Sequence, residues 1–265
     1  MVDADNNRRE LDVDRLSSQL SGCIVGREIH FFKALGSTMD EAKRMAEDGA
    51  SEGAVVIAEE QTVGRGRFDR SWVSEPGKDL LFSVVFRPDA TQAPYINMAA
   101  AVSVCSTVGQ ATGLAASIKW PNDVKLAGRK VSGILVESAV SRADIEFTVL
   151  GVGLNVNSNP ATVPQIAEIA TSMYRETGIT FDRTDTLIQV LRELDSKYSL
   201  IMAGQSMRQE WASRLETLGR NVVVRWQDSQ EEGVAVGVDE MGNLILTKAD
   251  GTTRTVVAGE VTLQA

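Results

Sequence analysis

The spacing of apolar and polar residues changes several times along the chain, and each change marks an element. EIHFF (28–32), AVVIA (54–58) and LLFSVVF (80–86) are short, nearly continuous apolar runs, the pattern of buried strands. Between the first two, GSTMDEAKRMAEDG turns to helical spacing. Ala42, Met45 and Ala46 share one face, Thr38 with Glu41 three residues on reads as a capping box, and Gly49 is a stop. The start of that helix offers free backbone N–H groups. A long, weakly polar stretch rich in Ala, Val and Ser over 94–113 suits a helix packed under a sheet. SIKWPNDVKLAGRKVSGILVES predicts two strands around a turn at Ala127-Gly128, and IEFTVLGVGLNVN a further strand. The expected fold is α+β, a mixed or antiparallel sheet with helices packed on one face.

Residues 160–218 change character. In LIQVLRELDSKYSLIMAG, Leu187, Val190, Leu191, Leu194 and Tyr198 recur at helical spacing, a stripe that reads as core. From Gly219 onward only short strands and turns follow, NVVVRW, GVAVGV, NLILT and TTRTVVAGEVTL, which predict a small β barrel. The expected organisation is an N-terminal segment (1–28), a main domain (29–218) and a C-terminal barrel (219–265).

Composition removes several chemistries. The 265 residues carry a formal charge of −9, which disfavours a long polyanionic partner such as nucleic acid. The first twenty residues are charged throughout, and no apolar run is long enough to span a bilayer, so no signal peptide and no membrane partner is expected. Cys23 and Cys105 are far apart in sequence and read as core filler in a reducing cytoplasm. His30 is the sole histidine, which leaves little for triads, His relays or His/Cys metal sites. Carboxylates, lysines, arginines and the backbone remain.

Two basic islands interrupt this acidic chain. GRGRFDR (64–70) sets three arginines against Asp69, and KWPNDVKLAGRK (119–130) sets Lys119, Lys125, Arg129 and Lys130 against Asp123. Neither glycine run is a dinucleotide fingerprint, since Asp69 and Val156 stand where its last glycine must be. Guanidinium groups gathered on a flexible segment repel one another unless an anion joins them, and their forks match carboxylates and phosphates. The two islands together point to one shared anionic site.

GSTMDEA, EEQTVGRGRFDRSW, KWPNDVKLAGRKVSGILVE and GVGLNVN, in this order and spacing, resemble the biotin–protein ligases over about 31–157, and the likeness extends to the tail ending AGEVTL. The resemblance implies a class II aminoacyl-tRNA-synthetase-like catalytic domain followed by an SH3-like barrel. It implies ATP-dependent activation of biotin as biotinyl-5′-AMP, release of pyrophosphate, and transfer to a lysine of a biotin carboxyl carrier domain, with ATP and Mg²⁺ as cofactors. It allows a homodimer. Ser37, Thr38, Met39 and Gln61 then match the ureido side of biotin, with Thr38 capping the helix and Ser37 facing the ligand. Arg65 and Arg67 match groups that neutralise carboxylate and phosphate, while Gly64 and Gly66 let backbone approach them. Lys130 matches the lysine between biotin carboxylate and α-phosphate, and Gly133 and Leu135 the strand along the biotin pocket. Arg70, Trp72, Lys119, Asn122, Asp123 and Asn155 match the nucleotide side, with Trp72 as a face for adenine and Asp123 as a Mg²⁺ contact. Catalysis would rest on Lys130, Arg65 and Arg67 through charge stabilisation.

Two departures stand out. Asp69 occupies a position that is glycine in the common loop, and only about thirty residues precede the catalytic region, too few for the winged helix-turn-helix that makes some relatives repressors. A lipoate or octanoyl ligase remains the alternative enzyme, although such enzymes generally lack the GRGR and KWPND pairing. A binding or regulatory protein remains the alternative from another class.

Overall fold

The structure is a computed structural model that describes residues 10–68, 70–142, 144–226 and 229–263; Asp69, singled out above, lies outside the described residues. The main sheet is built from β1 (Ile29–Phe32), β2 (Val55–Ala58), β3 (Leu80–Phe86), β4 (Ala116–Lys119), β5 (Asp123–Leu126), β6 (Arg129–Ser141) and β7 (Asp144–Leu154). Its order is β1-β2-β3-β7-β6-β5-β4, with β1 and β2 parallel and the other neighbours antiparallel. The sheet is therefore mixed, one of the two arrangements expected.

The segment read as two strands around Ala127-Gly128 forms three. The tight turn is present, with positive φ at both Ala127 and Gly128, but the ladder also breaks at 120–122. Pro121 has no N–H to give, and the chain turns there through a cis Trp120–Pro121 bond.

Alternation along the strands gives the sheet two unlike faces. Leu80, Phe82, Val84, Ile134, Leu150, Val152 and Leu154 face the main core. There they meet α3 (Ala93–Thr112) and α5 (Arg183–Met202), whose stripe Leu187, Val190, Leu191, Leu194 and Tyr198 is buried. The N-terminal segment joins this core, since α1 (Val13–Leu20) inserts Leu16 and Leu20. Among the helices of the described residues, α2 (Thr38–Glu47) packs on the opposite face, through Met39, Ala42, Met45 and Ala46 on Val56, Val85, Phe147 and Val149. The long helices thus cover one face, and most of the other is left for a site.

The C-terminal unit is an antiparallel sheet of β8 (Asn221–Trp226), β9 (Ser229–Val238), β10 (Leu244–Thr247), β11 (Thr253–Val256) and β12 (Glu260–Leu263), in the order β11-β10-β9-β8-β12. TTRTVVAGEVTL splits into two strands at 257–259, where Gly259, at φ +147°, lies so close to β8 that a Cβ there would be 2.5 Å from Val224 Cγ1. The unit docks on the main domain at Gly242, whose carbonyl accepts from Trp120 Nε1 at 2.8 Å. None of the helices among the described residues is long and apolar enough to cross a membrane.

Candidate active site

A cavity opens on the sheet face beside α2. Its floor is flat because the strands present almost no side chains there. Gly133 of β6 lies opposite Gly153 of β7, Leu135 opposite Gly151, and Gly151 opposite Ser83 of β3. These positions are alternate residues on adjacent strands and therefore share one face. A Cβ on Gly151 would be 2.5 Å from Met39 Sδ, and one on Gly153 2.3 Å from Trp72 Cε2. A side chain at either glycine would therefore displace what already rests on the floor. The sequence reading singled out Gly133 and Leu135 but missed Gly151 and Gly153. The signal was present, since Gly-x-Gly inside a strand presents both glycines on one face.

At one end of the floor stands the start of α2. Ser37 is extended (φ −152°, ψ 136°), and its hydroxyl accepts from Met39 N at 3.3 Å, so Ser37 is the N-cap. This corrects the expectation that Thr38 caps. Thr38 is already helical, and both its N–H (2.7 Å) and its hydroxyl (3.0 Å) donate to Gln61 Oε1. Ser83, fully buried in β3, donates to Thr38 Oγ1 at 2.9 Å. Gln61, Thr38 and Ser83 therefore form a fixed polar chain from loop to helix to sheet. With the Gln61 carbonyl used, its amide donors remain to face the cavity.

The two basic islands line the rest of the cavity, with Arg65 reaching back to α2. The 64–72 loop closes as a small hairpin, with Gly66 N donating to Arg70 O (2.7 Å) and Trp72 N to Gly64 O (3.0 Å). A Cβ on Gly64 would be 2.5 Å from Trp72 O, so that glycine serves the closure of the loop. The three guanidinium groups do not converge. Arg65 spans Asp40 (2.7 Å) and Glu137 (2.6 Å), and Arg70 holds Glu260 of β12 with both nitrogens (2.8 and 2.6 Å). Arg67 makes no ion pair among the described residues. It donates to Asn122 Oδ1 at 3.3 Å, and burial pushes its pKa down while the charges of Asp123 and Glu260 oppose the shift. Asn122 is itself oriented by a hydrogen bond to Ile134 O.

Lys130, at the start of β6, meets Asp123 at 2.6 Å and lies 5.6 Å from the centroid of the Trp72 ring. Its backbone is clamped by Ile169 O and Thr171 N, both at 2.8 Å. Asn155, buried past the end of β7, donates to Thr171 O at 2.8 Å and so ties the same segment to the floor. Beneath it, buried Asp79 accepts from Val156 N at 2.9 Å, and desolvation raises its pKa to about 6. Trp72 is packed on Gly133 and Gly153, in the middle of the floor.

All the site residues expected from the sequence line this one cavity except Gly64. Ser37, Thr38, Met39, Gln61, Arg65, Gly66, Arg67, Arg70, Trp72, Lys119, Asn122, Asp123, Lys130, Gly133, Leu135 and Asn155 come from segments far apart in the chain. The cavity also includes Phe68, Ile169, Gly259, Glu260 and Val261, which the sequence reading did not name. For those in the tail no local pattern marks a site; only tertiary packing brings them there.

A mixed sheet backed by helices, with a polar recess at one end of its open face and a cationic cluster at the other, defines a class of proteins that bring two ligands together on one floor. Residues 31–155 match the Biotin/lipoate A/B protein ligase family, and residues 217–263 match the Biotin protein ligase C terminal domain. The chain is 33% identical to the biotin–[acetyl-CoA-carboxylase] ligase of Mycobacterium tuberculosis, over 98% of each protein. It is 32% identical to the bifunctional ligase/repressor BirA of Bacillus subtilis, over 86% of this chain and 72% of that one. Among solved structures, the biotin protein ligase from Aquifex aeolicus in complex with biotin and ATP superposes with a TM-score of 0.74 at 29% identity, covering 90% of this chain and 99% of that one. The chain belongs to the biotin protein ligase family.

Proposed function

We infer that the protein is an ATP-dependent biotin–protein ligase that joins biotin to a lysine of a biotin carboxyl carrier domain. The observation that carries this reading is the single floor of Gly133, Leu135, Gly151 and Gly153 in a cavity lined both by the polar groups of Thr38 and Gln61 and by the cations Arg65, Arg67, Arg70, Lys119 and Lys130. The Aquifex relative binds both biotin and ATP.

Ser37, Thr38, Met39 and Gln61 take the ureido ring, where fixed amide and hydroxyl groups satisfy a buried polar bicycle. The bicycle and its acyl chain lie over the floor, against Met39 and the Trp72 ring that rest on its glycines. The carboxylate then points at Lys130 and Arg67. One carboxylate oxygen attacks the α-phosphorus of ATP, the bond from that phosphorus to the β-phosphate bridging oxygen breaks, and pyrophosphate leaves. In the second step the carrier lysine, as the free amine, attacks the acyl carbon and AMP departs. Lys130 and Arg67 hold two anions together as charge builds in the transition state, and Arg65 supports them from the α2 side. Arg70, Trp72, Lys119, Asn122 and Asn155 are assigned to the nucleotide.

The donor set fits Mg²⁺ held mainly by substrate phosphates, with Asp123 as the protein's carboxylate. Asp123 pairs with Lys130 at 2.6 Å; a phosphate that took over Lys130 would free Asp123 to hold the cation. When bound, Mg²⁺ neutralises phosphate charge. The acidic net charge of −9 argues against nucleic acid as a partner, and two unpaired cysteines suit a reducing cytoplasm. The main domain (29–218) and barrel (219–265) are assigned as separate units, and a homodimer is read directly by sedimentation equilibrium.

The test is transfer. Incubated with biotin, ATP, Mg²⁺ and a purified carrier domain, the protein adds one biotinyl group to the carrier lysine, seen as an intact-mass increase. A carrier that gains no mass with biotin but gains a lipoyl or octanoyl group would replace this reading with the alternative enzyme.

A further inference from the structure

The 64–72 loop is anchored from outside its own domain. Its tip carries Phe68, a non-glycine residue at φ +56°, a conformation that such residues rarely adopt without support. Phe68 is 46% exposed, so the main core does not hold it. What meets it is Trp226 at the end of β8, edge to face, with ring centroids 5.4 Å apart and planes at 70°. On its other side, Phe68 has the Arg67 guanidinium 4.7 Å from its ring centroid. Past residue 69, Arg70 is gripped by both oxygens of Glu260. Glu260 is the first residue of β12, delivered to the cavity rim by the bend at Gly259. Hydrogen bonding to Arg70, followed by the charges of Lys119 and Lys130, holds its carboxyl below the usual range.

Resting on the ligase reading above, we propose that Glu260 and Trp226 of the C-terminal barrel are positioning residues for adenylation, holding the 64–72 loop over the cavity so that Arg67 stands at the phosphate end. The geometry gives each anchor a distinct job. A bidentate carboxylate fixes the direction of Arg70 and cancels its charge against neighbouring cations. The aromatic edge fixes Phe68, and Phe68 in turn carries Arg67, the one loop arginine with no carboxylate partner among the described residues. Without the anchors the hairpin retains its internal hydrogen bonds but loses its tie to the barrel. The barrel thereby acts on the nucleotide half of the reaction and leaves the biotin recess around Ser37 and Gln61 untouched.

Glu260→Gln, Trp226→Ala and Phe68→Ala, each in the full chain, test this. Glu260 and Trp226 are both partly exposed, at 45% of the side chain and 38% of the residue, so the thermal midpoint should stay near wild type. The expected result is faster trypsin cleavage at Arg67 and Arg70 in the ligand-free protein and a KM for ATP in biotin-dependent pyrophosphate exchange raised about tenfold, the scale of one lost specific contact. The Kd for biotin by calorimetry should change less than about twofold, and Trp226→Ala combined with Phe68→Ala should be no worse than either alone, the signature of a shared contact. Wild-type cleavage and KM in all three variants would overturn the proposal. So would equal losses of ATP and biotin affinity together with a lowered midpoint, which would mean a merely structural role. If the wild-type protein shows no biotin-dependent exchange, the ligase reading fails by itself; the trypsin comparison still decides whether the anchors hold the loop.

Discussion

The two ends of the cavity are built in opposite ways. At the recess, Gln61, Thr38 and Ser83 are linked by short hydrogen bonds across a loop, a helix and a central strand, and Ser37 is tied into the helix start. At the cationic end, Arg70 and Lys130 are each occupied by a carboxylate of the protein, as is Arg65 on the α2 side. The first arrangement is preorganised and needs no change to receive a neutral polar ring. The second is a set of ion pairs that an incoming phosphate must exchange. A chain of charge −9 thus holds a cation cluster together with internal counter-charges, and Arg67 has none among the described residues.

The largest effect should come from breaking the cationic end at its centre. Lys130→Met keeps the apolar stem and removes the charge between the two anions. Adenylate formation should fall about a hundredfold, roughly 3 kcal/mol of barrier, with far less effect on transfer from ready-made biotinyl-AMP. Pre-steady-state pyrophosphate release against single-turnover transfer checks this; equal losses in both would remove the distinction between the two ends.

Next in size is the support under the floor. The pKa of Asp79 is raised to about 6 by burial, above its value in an unfolded chain. Its contribution to stability is therefore complete below the unfolded pKa near 4 and is lost as pH rises through about 6. Asp79→Asn keeps an oxygen to accept from Val156 N and removes the titration. Relative to wild type, the variant should gain about 2–3 kcal/mol between pH 4 and pH 7. Urea denaturation across that range measures it, and parallel pH profiles for the two proteins would contradict it.

Sharpening the comparison at the floor itself calls for Gly151→Ala. Met39 must move to admit the methyl group, and overpacking of this kind costs about 1–3 kcal/mol. Biotin affinity should fall about tenfold or more in calorimetry, while ATP-dependent effects arise only through lost biotin. The smallest effect separates the two hydroxyls of the recess. Ser37→Ala should lower stability by about 1 kcal/mol through loss of the cap, whereas Thr38→Ala keeps the cap and loses the link between Gln61 and Ser83. Thermal unfolding of Ser37→Ala tests this, and an unchanged midpoint would contradict the capping role of Ser37.

Legibility in the sequence followed the range of the physics. The strands and long helices could be read because burial imposes a local period, as in LLFSVVF and the Leu187–Tyr198 stripe. The residues brought to the cavity could be read because their motifs resemble a known family. The choice of Ser37 over Thr38 as N-cap could not, because both are good caps and only the partnership of Thr38 with Gln61, 23 residues away, decides it. The break at Pro121 was visible in principle, since proline cannot continue a ladder. The fate of the arginines was hidden, because Asp40, Glu137 and Glu260 lie 25, 72 and 190 residues from the arginines they hold. Local charge counting therefore implied convergence where tertiary structure supplies separate partners.

This cavity activates biotin by consuming ATP. Exchange of labelled pyrophosphate into ATP, run with biotin, with lipoate and with neither acid, tests it most directly. The account predicts exchange that depends on biotin, is absent with lipoate and without acid, and falls about a hundredfold in Lys130→Met. Exchange with lipoate but not biotin, or exchange that needs no acid at all, would contradict it.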